Sequence, residues 1–374
     1  MRTLTTTIVA CSFLLLNQAL AQGTVQSGAA ATPVAETGDK DAKKEESKRK
    51  PGEIAVSTVI EGLNNPFSLS ITESDRLFVA ESGAQRIVEI KDGKSVPVAG
   101  DFDATKYRGY DAGPLSIFCV ADNVLLVGHD NATGEGSLTK LTINPNEKDA
   151  DAKVKRDTVA LEKKNSTAKL GQFSNIMLKH SVIYVVTHGD QENGWIAQAE
   201  FQNGKISSFR PSIPTAKRTS FPGPTCATVS PGGEYLVASQ MGKEDDVKDS
   251  RLVFYTLQGK LLRNFEVELN DIVALAYSPS RKHLFAIDYN YADPTKGGLY
   301  KLVGKGADKC EIKKLQDLSY ATSMAFDSKG NLFVTTLSGP QVTDGKPIGK
   351  LLKIEGLDEK PDGADGDSKE DSSS

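Results

Sequence analysis

This chain is poor in the residues that usually announce chemistry. Its 374 residues include four histidines, four cysteines and a single tryptophan, Trp195, and no two cysteines stand in a CxxC spacing. Neither a zinc ribbon nor a dithiol redox motif can be built from that set. A basic excess is missing too: 45 Lys and Arg face 49 Asp and Glu, for a formal net charge of −4. Much of that negative charge sits in the tail Asp358 to Ser374. The body is therefore close to neutral, with no field to hold phosphate backbones, which excludes nucleic acid as a partner. Helical periodicity of useful length is absent, and no apolar run reaches the length of a membrane span.

The most apolar run, Thr7 to Leu16, follows Arg2 and leads to Ala19-Leu20-Ala21. This layout predicts a secretory signal peptide over residues 1–21 and an exported protein, periplasmic or extracellular. Residues 22–53, rich in Ala, Gly, Lys and Glu, and the acidic, Ser-rich residues 358–374 cannot bury enough apolar surface to offset their ordering entropy, so both are expected to be disordered. Loss of Cys11 with the leader leaves Cys119, Cys226 and Cys310, an odd number that cannot all pair within one chain. Cys119 and Cys226 lie in apolar runs and read as small buried hydrophobes.

What the sequence does have is a repeat. Short apolar runs recur at intervals of about fifty residues: Leu77 to Ala80, Leu125 to Gly128, Ile183 to Val186, Tyr235 to Ala238, Leu284 to Ile287 and Leu332 to Thr335. Each is preceded by another apolar segment and a turn, as in Thr225 to Val237 and Ser323 to Val334, where Ser-Pro-Gly-Gly and Asp-Ser-Lys-Gly supply hairpin glycines. Alternating third strands follow, such as Arg86 to Lys91. The pattern predicts an all-β, six-bladed β-propeller over residues 54–357. Inner strands are expected near Phe67 to Ile71, Leu115 to Val120, Asn175 to Leu178, Cys226 to Val229, Val273 to Tyr277 and Ser323 to Phe326. The last blade runs out of chain after Lys350 to Glu355, and the unassigned stretch Ile54 to Ile60 is expected to complete it as an outer strand.

Asn-Pro-Phe-Ser-Leu-Ser-Ile at 65–71, followed by Arg-Leu-Phe-Val-Ala-Glu and Gln-Arg-Ile, resembles an NHL repeat. The whole of residues 54–357 resembles the senescence-marker-protein/gluconolactonase-like propellers. That resemblance implies metal ligands, Glu, Asn and Asp, at the starts of three inner strands. Asn64, Thr225 and Thr322 stand at the matching positions, so the lactonase ligand set is replaced.

Function is expected on the face that carries the long loops between second and third strands. His129 and His188 hold equivalent places in adjacent blades, each near an aspartate, Asp130 and Asp190. With Glu81 and Asp288 they form a candidate ligand group, and His129, His188 and Asp288 are the candidates for a divalent metal. The same residues would also serve to cap loops by bonding backbone. Arg108, Tyr110 and Asp111, ahead of the second blade, are candidates for holding an anionic ligand or a quinone cofactor. Trp195 reads either as a blade-packing residue or as a sugar-stacking one. These residues lead to a monomeric, non-catalytic exported propeller that binds a small ligand or a partner protein and needs no resident cofactor. A metal-dependent lactonase-like hydrolase is the alternative, and a quinoprotein sugar dehydrogenase a third reading.

Overall fold

The recurring runs are apolar at every position rather than at alternate ones, which demands burial on both faces of the strand. In the computed structural model each of them is the second strand of a four-stranded antiparallel blade. The structure describes residues 52–131, 134–147, 153–162, 171–187, 194–242, 247–305, 309–337 and 348–358. The predicted leader, nearly all of the linker and most of the acidic tail lie outside these. Along Leu77–Glu81, Phe78 packs toward the following blade with Ile117 and Val127, while Val79 packs toward the preceding one with Leu69 and Leu351. Leu126 and Val127 divide in the same way. The core is accordingly a ring of apolar clusters, one at each junction between neighbouring blades, among the described residues.

The inner strands are Pro66–Ile71, Pro114–Ala121, Phe173–Lys179, Pro224–Val229, Ile272–Tyr277 and Ala321–Phe326, which begin blades 1 to 6 in chain order. An inner strand has a partner on one side only, so its other edge needs satisfying. Side chains of neighbouring blades do this: Ser68 Oγ accepts from Ile117 N at 3.1 Å, Ser70 Oγ from Cys119 N at 2.9 Å, and Asn175 Oδ1 from Ala227 N at 3.2 Å. Gly233 and Gly330 take φ of +80° and +82° in the turns where the hairpin chemistry places them. Cys119, Cys226 and Cys310 are free thiols, and burial pushes Cys119 up to about 11 and Cys226 up to about 12, which keeps both protonated and unreactive at neutral pH.

Closure is by the N-terminal strand. Ala55–Leu63 lies antiparallel to Gly349–Glu355 as the outer strand of blade 6, paired from Ala55 opposite Glu355 to Leu63 opposite Gly349 with register shifts after Thr58 and Glu61. Leu63 is buried against Leu69 and Leu351, and Lys350 Nζ reaches Glu61 Oε1 at 2.7 Å. The seam is sewn on the channel side as well, where Leu69 N donates to Ser323 Oγ at 3.4 Å. Deleting residues through Leu63 removes the whole outer strand, so it should lower Tm by roughly 5 °C or more, whereas deleting residues 1–51 should leave Tm unchanged. Thermal melts of the two truncations check this, and equal Tm values would refute closure by this strand.

Candidate functional site

The channel mouth is built by one device repeated six times. In every blade the register between inner and second strand slips at the second residue of the inner strand: Phe67, Leu115, Ser174, Thr225, Val273 and Thr322 are each the extra residue of a β-bulge. A bulge re-aims its unpaired residue out of the ladder. All six line a single cavity of about 280 Å³.

The three hydroxyls in this ring are engaged between blades. Ser174 Oγ donates to Thr225 O at 2.7 Å, Thr225 Oγ1 donates to Ile272 O, and Thr322 Oγ1 donates to Pro66 O at 2.8 Å. Asn64 is not part of the ring: its backbone N–H donates to Glu81 Oε1 at 3.0 Å, and blade 1 presents Phe67 instead. The blade-1 position matched by resemblance is therefore three residues out of place, while Thr225 and Thr322 do lie at the mouth.

Above the ring sits a hairpin from the connection between blades 1 and 2, Thr105–Tyr107 paired with Tyr110–Ala112. Its tip, Arg108-Gly109, has φ of +49° and +85°, the conformation a two-residue hairpin needs and the reason for a glycine there. Tyr107 and Tyr110 meet Phe67 edge-on, with centroids 5.5 and 6.0 Å away. Arg108 reaches across the mouth to blades 4 and 5: its guanidinium lies 4.0 Å from the centroid of Tyr291, and Nη2 lies 3.8 Å from Met241 Sδ. Tyr289 lies tilted against Tyr291, with ring centroids 4.6 Å apart. Burial raises the Tyr289 and Tyr291 phenols well above their ordinary value, so they remain protonated.

A buried pair of acids braces this aromatic wall. Asp288 accepts from Asp271 N at 2.7 Å and from Asn270 N at 3.2 Å, and Asp271 Oδ2 accepts from Tyr291 N at 2.6 Å. Asp271 is fully buried, and burial pushes it up to about 7, with Asp288 adding to the rise and Arg108 opposing it.

The predicted residues divide sharply. Arg108 and Tyr110 line the cavity, but Asp111 points away, exposed and paired with Lys106. His129 lies on the blade 2 sheet, with Nε2 2.8 Å from Thr139 Oγ1 and its ring edge against Phe102 at 5.2 Å; burial lowers its basicity. His188 and Asp190 lie outside the described residues. Glu81, Asp130 and Asp288 each end a second strand and accept backbone N–H groups of segments leading into inner strands, those of Asn64, Gln172 and Asn270-Asp271. Thr187 and Gln240 hold the same place and donate to the carbonyls of Gly171 and Pro222. Glu81, Asp130 and Asp288 thus take the loop-capping role, and neither they nor His129 line the cavity. Trp195 packs against the cluster between blades 2 and 3.

Sequence reasoning missed Phe67, Tyr107, Tyr289, Tyr291 and Asp271 as site residues. The available signal was positional, since each bulge residue follows the first residue of its inner strand. Among the described residues no three His, Cys, Asp or Glu side chains converge as a metal group. The ring of Phe, Leu, Ser, Thr, Val and Thr also lacks the anionic oxygens a hard cation requires, so the described lining does not fit a lactonase-type metal.

No family model matches this sequence, and no curated protein matches it, so the likeness to NHL repeats rests on the repeat pattern alone. Solved structures do match. An oxidoreductase described as a glucose dehydrogenase from Thermus thermophilus is 16% identical, with a TM-score of 0.56 over 81% of this chain and 100% of that one. The PQQ-bound aldose sugar dehydrogenase of Streptomyces coelicolor is 12% identical, with a TM-score of 0.57 over 82% and 100%. A gluconolactonase from Xanthomonas campestris is 11% identical, with a TM-score of 0.53 over 82% and 90%. At these identities the likeness is one of fold. Pyrroloquinoline quinone carries three carboxylates, and the described lining sets one cation, Arg108, against them, a poor fit by charge.

Because the Asp271 pKa is raised on folding, the folded state holds its proton to higher pH than the unfolded chain does, and its contribution to stability falls as pH rises from about 4 through about 7. Asp271→Asn should remove that loss. Its Tm should exceed wild type at pH 8 and converge with it near pH 4, as followed by thermal melts across pH.

Proposed function

We propose that this is an exported propeller that holds a small organic molecule in its channel mouth. The observation that carries the reading is the convergence of six bulge residues and the Tyr107–Tyr110 hairpin on one cavity of about 280 Å³. That volume is at the lower end of what small-molecule sites occupy, and a partner protein would have no comparable use for so small a recess. The near-neutral body supports the exclusion of nucleic acid. The leader-like start, Thr7 to Leu16 followed by Ala19-Leu20-Ala21, supports export. Among the described residues no helix is long and apolar enough to cross a membrane. We propose that the protein acts as a monomer, since the six blades close on themselves.

The solved neighbours bear on the choice between binder and enzyme. Their names, sugar dehydrogenase and gluconolactonase, favour a small molecule over a protein partner and a catalytic role over a purely binding one. A lactonase-like hydrolase is accordingly the second reading. In the described lining it would have to work without the carboxylate set that holds a metal, which is why binding at the mouth is placed first.

The protein, incubated with a mixture of sugars, lactones and organic acids and passed through gel filtration, should carry one small molecule detectable by mass spectrometry. Val273→Phe, which fills the mouth, should carry none. Turnover of gluconolactone by the wild-type protein, lost in Val273→Phe, would favour the second reading. A bound molecule retained by folded Val273→Phe would place the site elsewhere.

A further inference from the structure

The polar side chains that the bulges bring to the mouth are already engaged within the protein. Ser174 Oγ donates to Thr225 O, Thr225 Oγ1 to Ile272 O and Thr322 Oγ1 to Pro66 O. Thr225 Oγ1 also lies 2.7 Å from Ser239 Oγ, and Thr322 Oγ1 lies 3.0 Å from Thr335 Oγ1, so each has a second hydroxyl within hydrogen-bonding reach. Arg108, the one charged side chain in the described lining, is engaged too. Its guanidinium lies over the rings of Tyr291 and Tyr107, 4.0 and 5.6 Å from their centroids, Nη2 meets Met241 Sδ, and the side chain holds a further partner in the protein. What is left to face an occupant is largely carbon: the side chains of Phe67, Leu115, Val273, Pro294 and Leu337, and the rings of four tyrosines.

Three classes of occupant can be weighed against this lining. An ion of either sign gives up its hydration and gains no counter-charge, because the described lining holds no carboxylate and its guanidinium is already committed. A sugar carries hydroxyls all round, and each one left unpaired over Phe67, Leu115 and Val273 costs about 1–3 kcal/mol. An uncharged flat ring system meets neither cost and gains edge and face contacts with the aromatic side chains. Size agrees. An apolar cavity of about 150 Å³ takes up benzene, so the 280 Å³ here has room for two fused rings.

We infer that the mouth is built for an uncharged aromatic molecule of about two fused rings, a size set by that comparison, held by shape and apolar contact among the bulge residues and the tyrosines. This rests on the reading of the mouth as a small-molecule site. Polar substituents on such a molecule are confined to the side where the phenols of the hairpin and blade 5 stand, those of Tyr107, Tyr110, Tyr289 and Tyr291.

Calorimetry at pH 7 with four probes tests the class: 2-naphthol, which is uncharged, 2-naphthoate, 2-naphthylmethylammonium, and methyl glucoside, which is uncharged but hydroxylated all round. Wild type should bind 2-naphthol best, with each of the other three weaker by roughly tenfold or more. Val273→Phe, which fills the mouth, should abolish 2-naphthol binding. Naphthoate, the ammonium or the glucoside bound more tightly than 2-naphthol, and lost in Val273→Phe, would overturn the ligand class and leave the small-molecule site standing. Failure of wild type to bind 2-naphthol at millimolar concentration would also overturn the class. Binding of 2-naphthol retained by folded Val273→Phe would overturn the site itself. If Val273→Phe does not fold, Leu115→Phe fills the same cavity, and the order of the four probes on wild type decides the class without either variant.

Discussion

The pairing of Ala55–Leu63 with Gly349–Glu355 is the constraint on which the rest of the molecule depends. Every blade here uses its neighbours on both sides to bury its second strand, so a ring with one loose blade loses packing at two junctions. The strand supplies the fourth member of blade 6 from the far end of the chain and removes an open sheet edge in the same step. Thr322 and Ser323 then carry the same contacts to blade 1 that other inner strands make with their neighbours. Six equivalent starts of inner strands surround one mouth only because that seam closes.

The mouth shows how a repeat is turned into a site. The bulge supplies direction without chemistry: the same backbone slip presents Phe67 in one blade and Thr322 in another. The charged residues that end the second strands are spent on backbone, with Glu81, Asp130 and Asp288 holding the approach to inner strands in place. Chemistry therefore arrives from outside the repeat, on the hairpin that carries Tyr107, Arg108 and Tyr110 and on the blade 5 segment that carries Tyr289 and Tyr291. The cost of placing Arg108 against those rings is offset in part by its cation–π contact with Tyr291.

The likeness of this protein to solved structures is one of fold. The sugar dehydrogenases and the gluconolactonase share its architecture at 11–16% identity. Function in a fold of this kind lives in side chains grafted on the scaffold. The described lining of the mouth presents an aromatic ring, aliphatic groups and hydroxyls that bond between blades.

The sequence by itself determined the blade count, the order of strands and the identity of the closing strand. Each of these follows from local patterns: continuous apolar runs that require two buried faces, turn glycines with positive φ, and one apolar stretch left without a partner at each end of the chain. Arg108 and Tyr110 were legible as candidates because they stand in the connection that enters the second blade. Only the tertiary structure decided what shares a mouth. His129 and Asp288 occupy equivalent positions along the repeat, yet equivalence around a ring places residues on separate blades rather than together. The bulges decided the lining, and they are a matter of register between strands, which a list of apolar positions does not contain. Asp271 and Tyr291 met Arg108, more than 160 residues earlier in the chain, through the folding of a hairpin across the channel.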